Sequence, residues 1–412
     1  MTDPRLDTIR ELCSFEGRLA GTDAERRAAN HLAARLQALG RRADVEPTYV
    51  HPQAPLIWAA HCAIAFAGSL VAVAEPAVGF ALVLLAATSL YLDLNARLYL
   101  LRPLFFRRAS QNVVSPGSNS TAPACLVLVA HYDAARTGAV HQPGNVARAR
   151  RLDSLLRFPH TRLLFWSVAV LLPLLGARMA EVDSGALSIL QLPPTLILLV
   201  AMFLLVDLQL SPIAPAANDN ASGVAVTLSL TERLRSEPPA NLDVWVVLTG
   251  AQEYGMEGMR AFVRARRKRF ERASTFVVAL DSVGAGDVRW IEADGLTVSF
   301  DMDRRLSELC AAVAEARRSD GAAHGAAPLR RAGGSDALAA RVAGWRAGAI
   351  TCLEPGAIVP ANHHTMGDVP EAIDPEAIDR AESFAHDLIR ALDRDVGRAS
   401  APAEPELAAA GA

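Results

Sequence analysis

Lysine is nearly missing from this chain of 412 residues: Lys268 stands alone among 41 Lys and Arg residues. Acidic residues number 44, so the formal net charge is -3, a balance that leaves no electrostatic footprint for nucleic acid. Paired cysteine spacing is missing too. Cys13, Cys62, Cys125, Cys310 and Cys352 are odd in number, scattered and never C-x-x-C. That argues against a thiolate zinc site or a disulfide framework, and reads as reduced, mostly buried thiols in a cytosol-facing protein. The first fifty residues carry charges throughout and no apolar segment of signal-peptide type.

What the chain has in excess is apolar residues, 51% against 21% charged, and they are concentrated. Residues 56–74 and 77–92 are uncharged on either side of Glu75 and Pro76. Residues 163–177 and 189–206 repeat the pattern around a link holding Arg178, Glu181 and Asp183. Four such runs predict two transmembrane hairpins in contact with membrane lipid, with buried core helices as the alternative. Pro173, Pro193 and Pro194 are tolerable in lipid-embedded helices. Arg97, Arg102, Arg107 and Arg108 follow the second run, and Arg148, Arg150, Arg151, Arg157 and Arg162 precede the third, whereas the hairpin tips carry one arginine between them. Positive charge stays inside. The expectation is a multi-pass inner-membrane protein whose N-terminus, 97–162 segment and everything after 210 face the cytoplasm.

The rest alternates. A helix over 23–39, stopped by Gly40, and a strand at 44–50 are followed by buried-strand runs at 124–130, 244–249, 276–280 and 349–353. Helical patterns at 224–234, 256–269, 303–318 and 375–395 interleave with them. This predicts an α/β fold, a mixed, mostly parallel sheet covered by helices on both faces, with the two hairpins inserted. The layout is a first part at 1–55, hairpins at 56–93 and 163–207, a middle part at 94–162, the main part at 208–395 and a disordered tail at 396–412.

In such sheets functional residues gather just past the carboxyl ends of the strands. Those positions hold His131-Tyr132-Asp133, Gln252-Glu253 and Asp281, and His363-His364 precedes the last helix. Asp219 sits in A-N-D-N-A-S-G at 217–223, where a carboxylate at a strand-to-helix turn can present both oxygens to one or two cations. Each alone reads as a helix cap or a satisfied histidine. Five together, from five separate elements, are ligand types suited to zinc or a similar divalent metal.

H-Y-D at 131–133, A-N-D-N-A-S-G at 217–223, A-Q-E-Y-G-M-E-G at 251–258, L-D-S-V-G at 280–284 and H-H-T-M-G-D at 363–368 resemble, in order and context, the metal-site motifs of M28 zinc peptidases. G-R-L-A-G-T-D-A-E at 17–25 is similar to that family's opening segment. The resemblance covers roughly 5–50 and 110–395 and leaves the four apolar runs outside it. It implies an aminopeptidase-like fold, a peptide substrate and two zinc ions bridged by Asp219. His131 and Asp281 would complete one site, Glu253 and His364 the other, and Asp133 would orient His131. His363 takes a position often aromatic in the family.

One departure weighs against that activity. Where the family has Glu-Glu, with the first glutamate acting as general base, this chain has Gln252-Glu253. An amide orients water but holds no titratable proton, so slow catalysis is expected. Glu257, about one helical turn beyond Glu253, is a remote substitute. Ser335-Asp336-Ala337 also lacks the histidine that often follows S-D. Three readings are open: a membrane-anchored aminopeptidase, a metal-binding pseudopeptidase that binds peptides or acts as a scaffold, and a transport or scaffold component working through its spans. The spans carry no charge at mid-depth to mark a substrate path.

Overall fold

The computed structural model describes residues 3–180, 182, 185–320 and 325–400. Helices α1 (Pro4–Cys13) and α2 (Asp23–Ala38) open the chain. The hydroxyl of Thr22 accepts the Glu25 amide at 3.2 Å, and Asp23 and Glu25 place acid in the first turn of α2, where the helix dipole favours it. Strand β1 (Asp44–Val50) follows, with the bounds expected. Next come α3 (Ala54–Val71), α4 (Pro76–Leu94), β2 (Arg108–Ser115), β3 (Ala124–His131), α5 (Pro143–Leu156), α6 (Leu163–Ala169), α7 (Leu171–Met179) and α8 (Gly185–Leu210). The remainder runs α9 (Gly223–Ser236), β4 (Leu242–Thr249), α10 (Glu257–Arg266), β5 (Thr275–Leu280), β6 (Asp287–Asp294), β7 (Phe300–Asp301), α11 (Arg304–Ser319), β8 (Ala327–Arg330), α12 (Asp336–Val342), β9 (Arg346–Leu353) and α13 (Pro375–Ser400).

The sheet has the order β1-β2-β4-β3-β5-β9-β6-β7, with β8 paired to β6. β4, β3, β5 and β9 are parallel neighbours, and antiparallel pairs flank them at β1–β2, β2–β4 and β6–β9. The mixed, mostly parallel sheet is therefore as expected. The parallel strands are apolar throughout because both faces are covered. Along β3, Leu126, Leu128 and Ala130 enter the core shared with α1, α2, α9, α11 and α13, whereas Val127 and Val129 enter the opposite core with α10 and α12. The flanking strands β2 and β6 carry polar residues in their apolar pattern, which hides them from a search for apolar runs. Strand β9 starts earlier than its apolar run, at Arg346. The expected tail at 396–412 begins too early, since α13 continues to Ser400; 401–412, like Glu181 and Asp183 of the expected link, lie outside the described residues.

The four apolar runs fold into α3, α4, the α6–α7 pair and α8, and four helical stretches, Ala54–Val71, Pro76–Leu94, His160–Met179 and Gly185–Leu210, are long and apolar enough to cross a membrane. α3 packs on α4 and α8, and α4 on α6 and α7. The first pair meets backbone to backbone: a Cβ on Gly79 would stand 2.5 Å from the Gly68 carbonyl oxygen and 2.4 Å from the Ala72 Cβ. Pro193 and Pro194 lie inside α8. Ile189, Leu192, Leu196, Val200 and Phe203 form an exposed apolar stripe along that helix, a surface of the kind that lipid or another apolar partner covers.

Candidate metal centre

The site is built where the carboxyl ends of β3, β4 and β5 meet two loops. β3 ends in His131, so its ring is placed by the sheet itself. The turn at Ala217–Ser222, whose Asp219–Asn220 peptide is cis, carries Asp219. Its asparagines stitch this turn to the loop after β5. Asn218 Oδ1 accepts the Gly284 amide at 2.7 Å, Asn220 Oδ1 accepts the Ser282 and Gly223 amides at 2.9 and 3.0 Å, and Asn220 Nδ2 donates to the Leu280 carbonyl at 2.9 Å. Gly223 is required by this closeness, since a Cβ there would lie 2.3 Å from Asn220 Oδ1 and 2.4 Å from the Leu280 carbonyl oxygen. Asp368, which ends H-H-T-M-G-D, accepts the Asn218 and Asp219 amides at 2.7 and 3.1 Å. The two motifs are thus one structural unit.

Asp219 is central and buried. Its Oδ1 lies 3.3 Å from His131 Nε2, and its Oδ2 lies 3.2 Å from His364 Nε2 and 2.8 Å from His363 Nδ1. His364 Nε2 is also 3.0 Å from Glu253 Oε2. Asp281 sits farther out, its Oδ1 at 4.0 Å from His131 Nε2. That carboxylate is met by Ser282 Oγ at 3.0 Å and by the Arg331 guanidinium at 3.1 Å, which Asp294 holds from the other side. Asp133 is fully buried, lies 3.4 Å from His131 Nδ1 and accepts the amides of Gln252 at 3.0 Å and Glu253 at 3.3 Å. It therefore supports the backbone that carries Glu253 as well as the ring of His131.

The structure changes the reading of Glu257. Residues 253–256 form a turn with Met256 at φ 54°, and α10 begins only at Glu257, so helical spacing from Glu253 does not apply. Glu257 points to Arg102 at 2.7 Å and His51 at 3.0 Å. Gln252, expected at the position of the general base, donates through its Nε2 to the Gly334 carbonyl at 3.1 Å. Asp336 lies beneath, accepting the Thr249 hydroxyl at 2.5 Å. Burial raises its pKa to about 7.

Three contributors escaped the sequence. Arg18, buried in the G-R-L-A-G-T-D-A-E segment, donates to the carbonyls of Tyr132, Pro215 and Ala216 at 2.9, 2.8 and 2.7 Å and so clamps the ends of β3 and the Asp219 turn together. Arg331 stands against Asp281. His141, in a turn with no motif around it, lies 3.2 Å from His364.

Burial works against charge on Asp219, His364 and Glu253, and opposite charges outweigh it at the first two. Burial opposes ionisation of Asp219, but contacts from His131, His363 and His364 hold it well below the carboxylate range. Burial lowers His364, and the Glu253 and Asp219 carboxylates more than reverse this, to about 10. Burial raises Glu253 to about 7, against the pull of His364. Carboxylates and imidazoles with nowhere to spread their charge are the donor chemistry of a divalent site. His131, Asp219 and Glu253 each bring a ligand atom within 4.8 Å of the others. Glu253 Oε1, His363 Nδ1 and His364 Nε2 are buried without an aligned hydrogen-bond partner among the described residues. The residues fit a metal.

Comparison with known proteins agrees. Residues 205–389 match the model of peptidase family M28. That part of the chain is similar to peptidase family M28. That match includes Asp219, Glu253, Asp281 and His364, and begins after most of the apolar helices. No curated protein matches by sequence. Among solved structures, BSAP, a zinc aminopeptidase from Bacillus subtilis, superposes with a TM-score of 0.55 at 14% identity over 93% of each chain. A glutaminyl cyclase from Porphyromonas gingivalis gives 0.54 at 12% identity over 95% of this chain and 97% of that one. A Zn-dependent exopeptidase from Parabacteroides distasonis gives 0.52 at 13%, over 93% and 96%. At these identities the likeness is one of fold: the chain has the zinc aminopeptidase architecture.

Proposed function

We propose that this protein is a membrane-anchored zinc metallopeptidase of M28 type that acts slowly on the N-terminal residues of peptides. The observation that carries the reading is Asp219, whose two oxygens face different imidazoles, His131 on one side and His364 on the other. That is the disposition of a bridging carboxylate. His131 and Asp281 would hold one zinc ion, Glu253 and His364 the other, and other divalent metals suit the same donors. Bound zinc would supply carbonyl polarisation and a lowered pKa for water.

The chain's own residues set the rest of the chemistry. Asp133 fixes the backbone of Gln252 and Glu253 and steadies His131. Gln252 can orient water through its amide but cannot take its proton, and its Nε2 is already committed to the Gly334 carbonyl. Glu257 does not replace the missing base, since it is turned away into its pair with Arg102. The same commitment of Gln252 favours a second reading, a pseudopeptidase that keeps its metal and binds peptide termini without cleaving them.

The four apolar helices, the exposed stripe on α8 and the arginines around 97–108 and 148–162 support anchoring in an inner membrane, with the M28-like domain on the cytoplasmic side. The deciding experiment is aminopeptidase turnover on aminoacyl fluorogenic substrates, with zinc-loaded protein compared with its Gln252→Glu variant. Measurable turnover by the parent supports the peptidase. A silent parent beside an active variant supports the pseudopeptidase.

A further inference from the structure

His141 belongs to none of the five motifs, yet its ring reaches the centre. It ends a short turn, Ala139–His141, whose first amide donates to Asp207 Oδ2 at 2.7 Å. Asp207 lies in the last turn of α8, so the end of an apolar helix sets where this turn sits. From there His141 Nε2 lies 3.2 Å from His364 Nδ1, the rings meeting edge to face with centroids 4.5 Å apart. The other nitrogen of His364, Nε2, is the one that faces Asp219 Oδ2 and Glu253 Oε2.

A neutral imidazole carries one ring proton. For His364 Nε2 to offer its lone pair to a cation, that proton must be on Nδ1, and a buried N–H needs an acceptor. His141 Nε2 is the acceptor within reach. Ligating histidines ordinarily donate through their second nitrogen to a carboxylate, a carbonyl or water, and losing that partner typically weakens metal binding 10–100-fold. Here an imidazole takes the partner's place.

We propose that His141 is a positioning residue of the metal centre, its Nε2 accepting the His364 Nδ1–H and thereby fixing the tautomer and ring orientation that turn His364 Nε2 toward the cation. The inference rests on the metal-centre reading above. The competing arrangement is direct ligation, since His141, His363 and His364 each offer a ring nitrogen within 4.8 Å of the others.

The test uses the full-length protein in detergent, with zinc content measured by metal analysis and zinc affinity by competition with a chromophoric chelator. The variants are His141→Ala, His141→Gln and His141→Asn. A glutamine carbonyl reaches the position of Nε2, and an asparagine carbonyl only that of Nδ1. The expected result is that alanine weakens one zinc about 10–100-fold and leaves the other unchanged, that glutamine restores most of the affinity, and that asparagine does not. Parental affinity in the alanine variant overturns the proposal. So does loss of one zinc in the alanine and glutamine variants alike, which would make His141 a ligand. A parent that takes up no zinc removes the metal-centre reading itself, and this inference with it.

Discussion

Arg102 and Glu257 form a 2.7 Å ion pair in which the guanidinium has no solvent exposure. The same guanidinium grips Asp93, at the end of α4, at 2.7 and 2.8 Å and donates to the Tyr254 carbonyl at 3.0 Å. Glu257 in turn accepts the His51 amide at 2.8 Å. Tyr254, next to Glu253, rests its ring edge-on against Trp58 of α3 with centroids 6.2 Å apart. One buried cation thus ties the first hairpin to the loop that carries Glu253.

Replacing that cation strands two carboxylates. An Arg102→Met variant is expected to lose about 3–5 kcal/mol of stability, the usual cost of breaking a buried pair from one side. Unfolding in detergent, followed by circular dichroism, reads the loss. A double variant, Arg102→Met with Glu257→Gln, should recover part of it by removing one of the stranded charges. If the single variant unfolds with the parent, the network is not what joins hairpin and domain.

Gln252 and Glu257 should behave oppositely in catalysis. Placing a carboxylate at 252 supplies the missing proton acceptor, and we expect Gln252→Glu to raise turnover about 10²–10⁴-fold, the usual range of general base assistance. Glu257→Gln should leave turnover per folded molecule nearly unchanged while lowering stability, because its work is to meet Arg102. A collapse of activity in a folded Glu257→Gln protein would return Glu257 to the list of proton acceptors.

The contrast between these two positions shows where sequence reading reaches and where it stops. The strand-end positions of His131, Glu253 and Asp281 were legible because parallel strands are apolar and end abruptly. The four long helices were legible by length. Glu257 was read as a remote substitute, as it is, but the helical spacing behind that reading does not hold, because the chain makes a turn at Met256 and α10 starts only at Glu257. His141 left no trace, for its neighbours are an ordinary polar loop and only the fold brings it against His364. Arg18 and Arg331 escaped for the same reason. A buried arginine is unusual, and nothing in a one-dimensional pattern shows which carbonyls or carboxylates will surround it. The antiparallel flanks β2 and β6 escaped because half-polar strands resemble loops.

Zinc should stabilise the protein as well as equip it. The chain gathers Asp219, Glu253 and Asp281 around two or more imidazoles, and binding to the folded state alone raises stability by about 2.7 kcal/mol when free metal is 100 times Kd. Thermal unfolding of chelator-treated protein should therefore shift upward as zinc is added, and Asp219→Asn should abolish most of the shift. An unfolding temperature indifferent to zinc, with the parent demonstrably folded, would contradict the metal centre.

Glu25, which is not itself a candidate metal ligand, predicts a pH dependence. Its carboxyl is buried, accepting the Gly21 amide and the Ser110 hydroxyl, each at 2.6 Å. Burial first, and then the charge of Asp133, push its pKa up to about 8 from an ordinary 4.5. The folded state therefore holds a proton that the unfolded chain releases. The sign follows from that difference: the contribution to stability is fully present below about 4.5, declines as pH rises, and is gone once pH passes about 8. A Glu25→Gln side chain stays neutral at every pH; its one carbonyl oxygen can still accept from Gly21 while its amide donates to the Ser110 hydroxyl oxygen. At pH 5 the variant and parent should unfold nearly together, and above pH 8 the variant should be more stable by up to about 5 kcal/mol, the shift from 4.5 to about 8 at about 1.4 kcal/mol per pKa unit. Unfolding measured at pH 5, 7 and 9 checks this. A difference that stays flat across that range would show that Glu25 is ionised throughout, its charge carried by Ser110 and the surrounding amides rather than suppressed by burial.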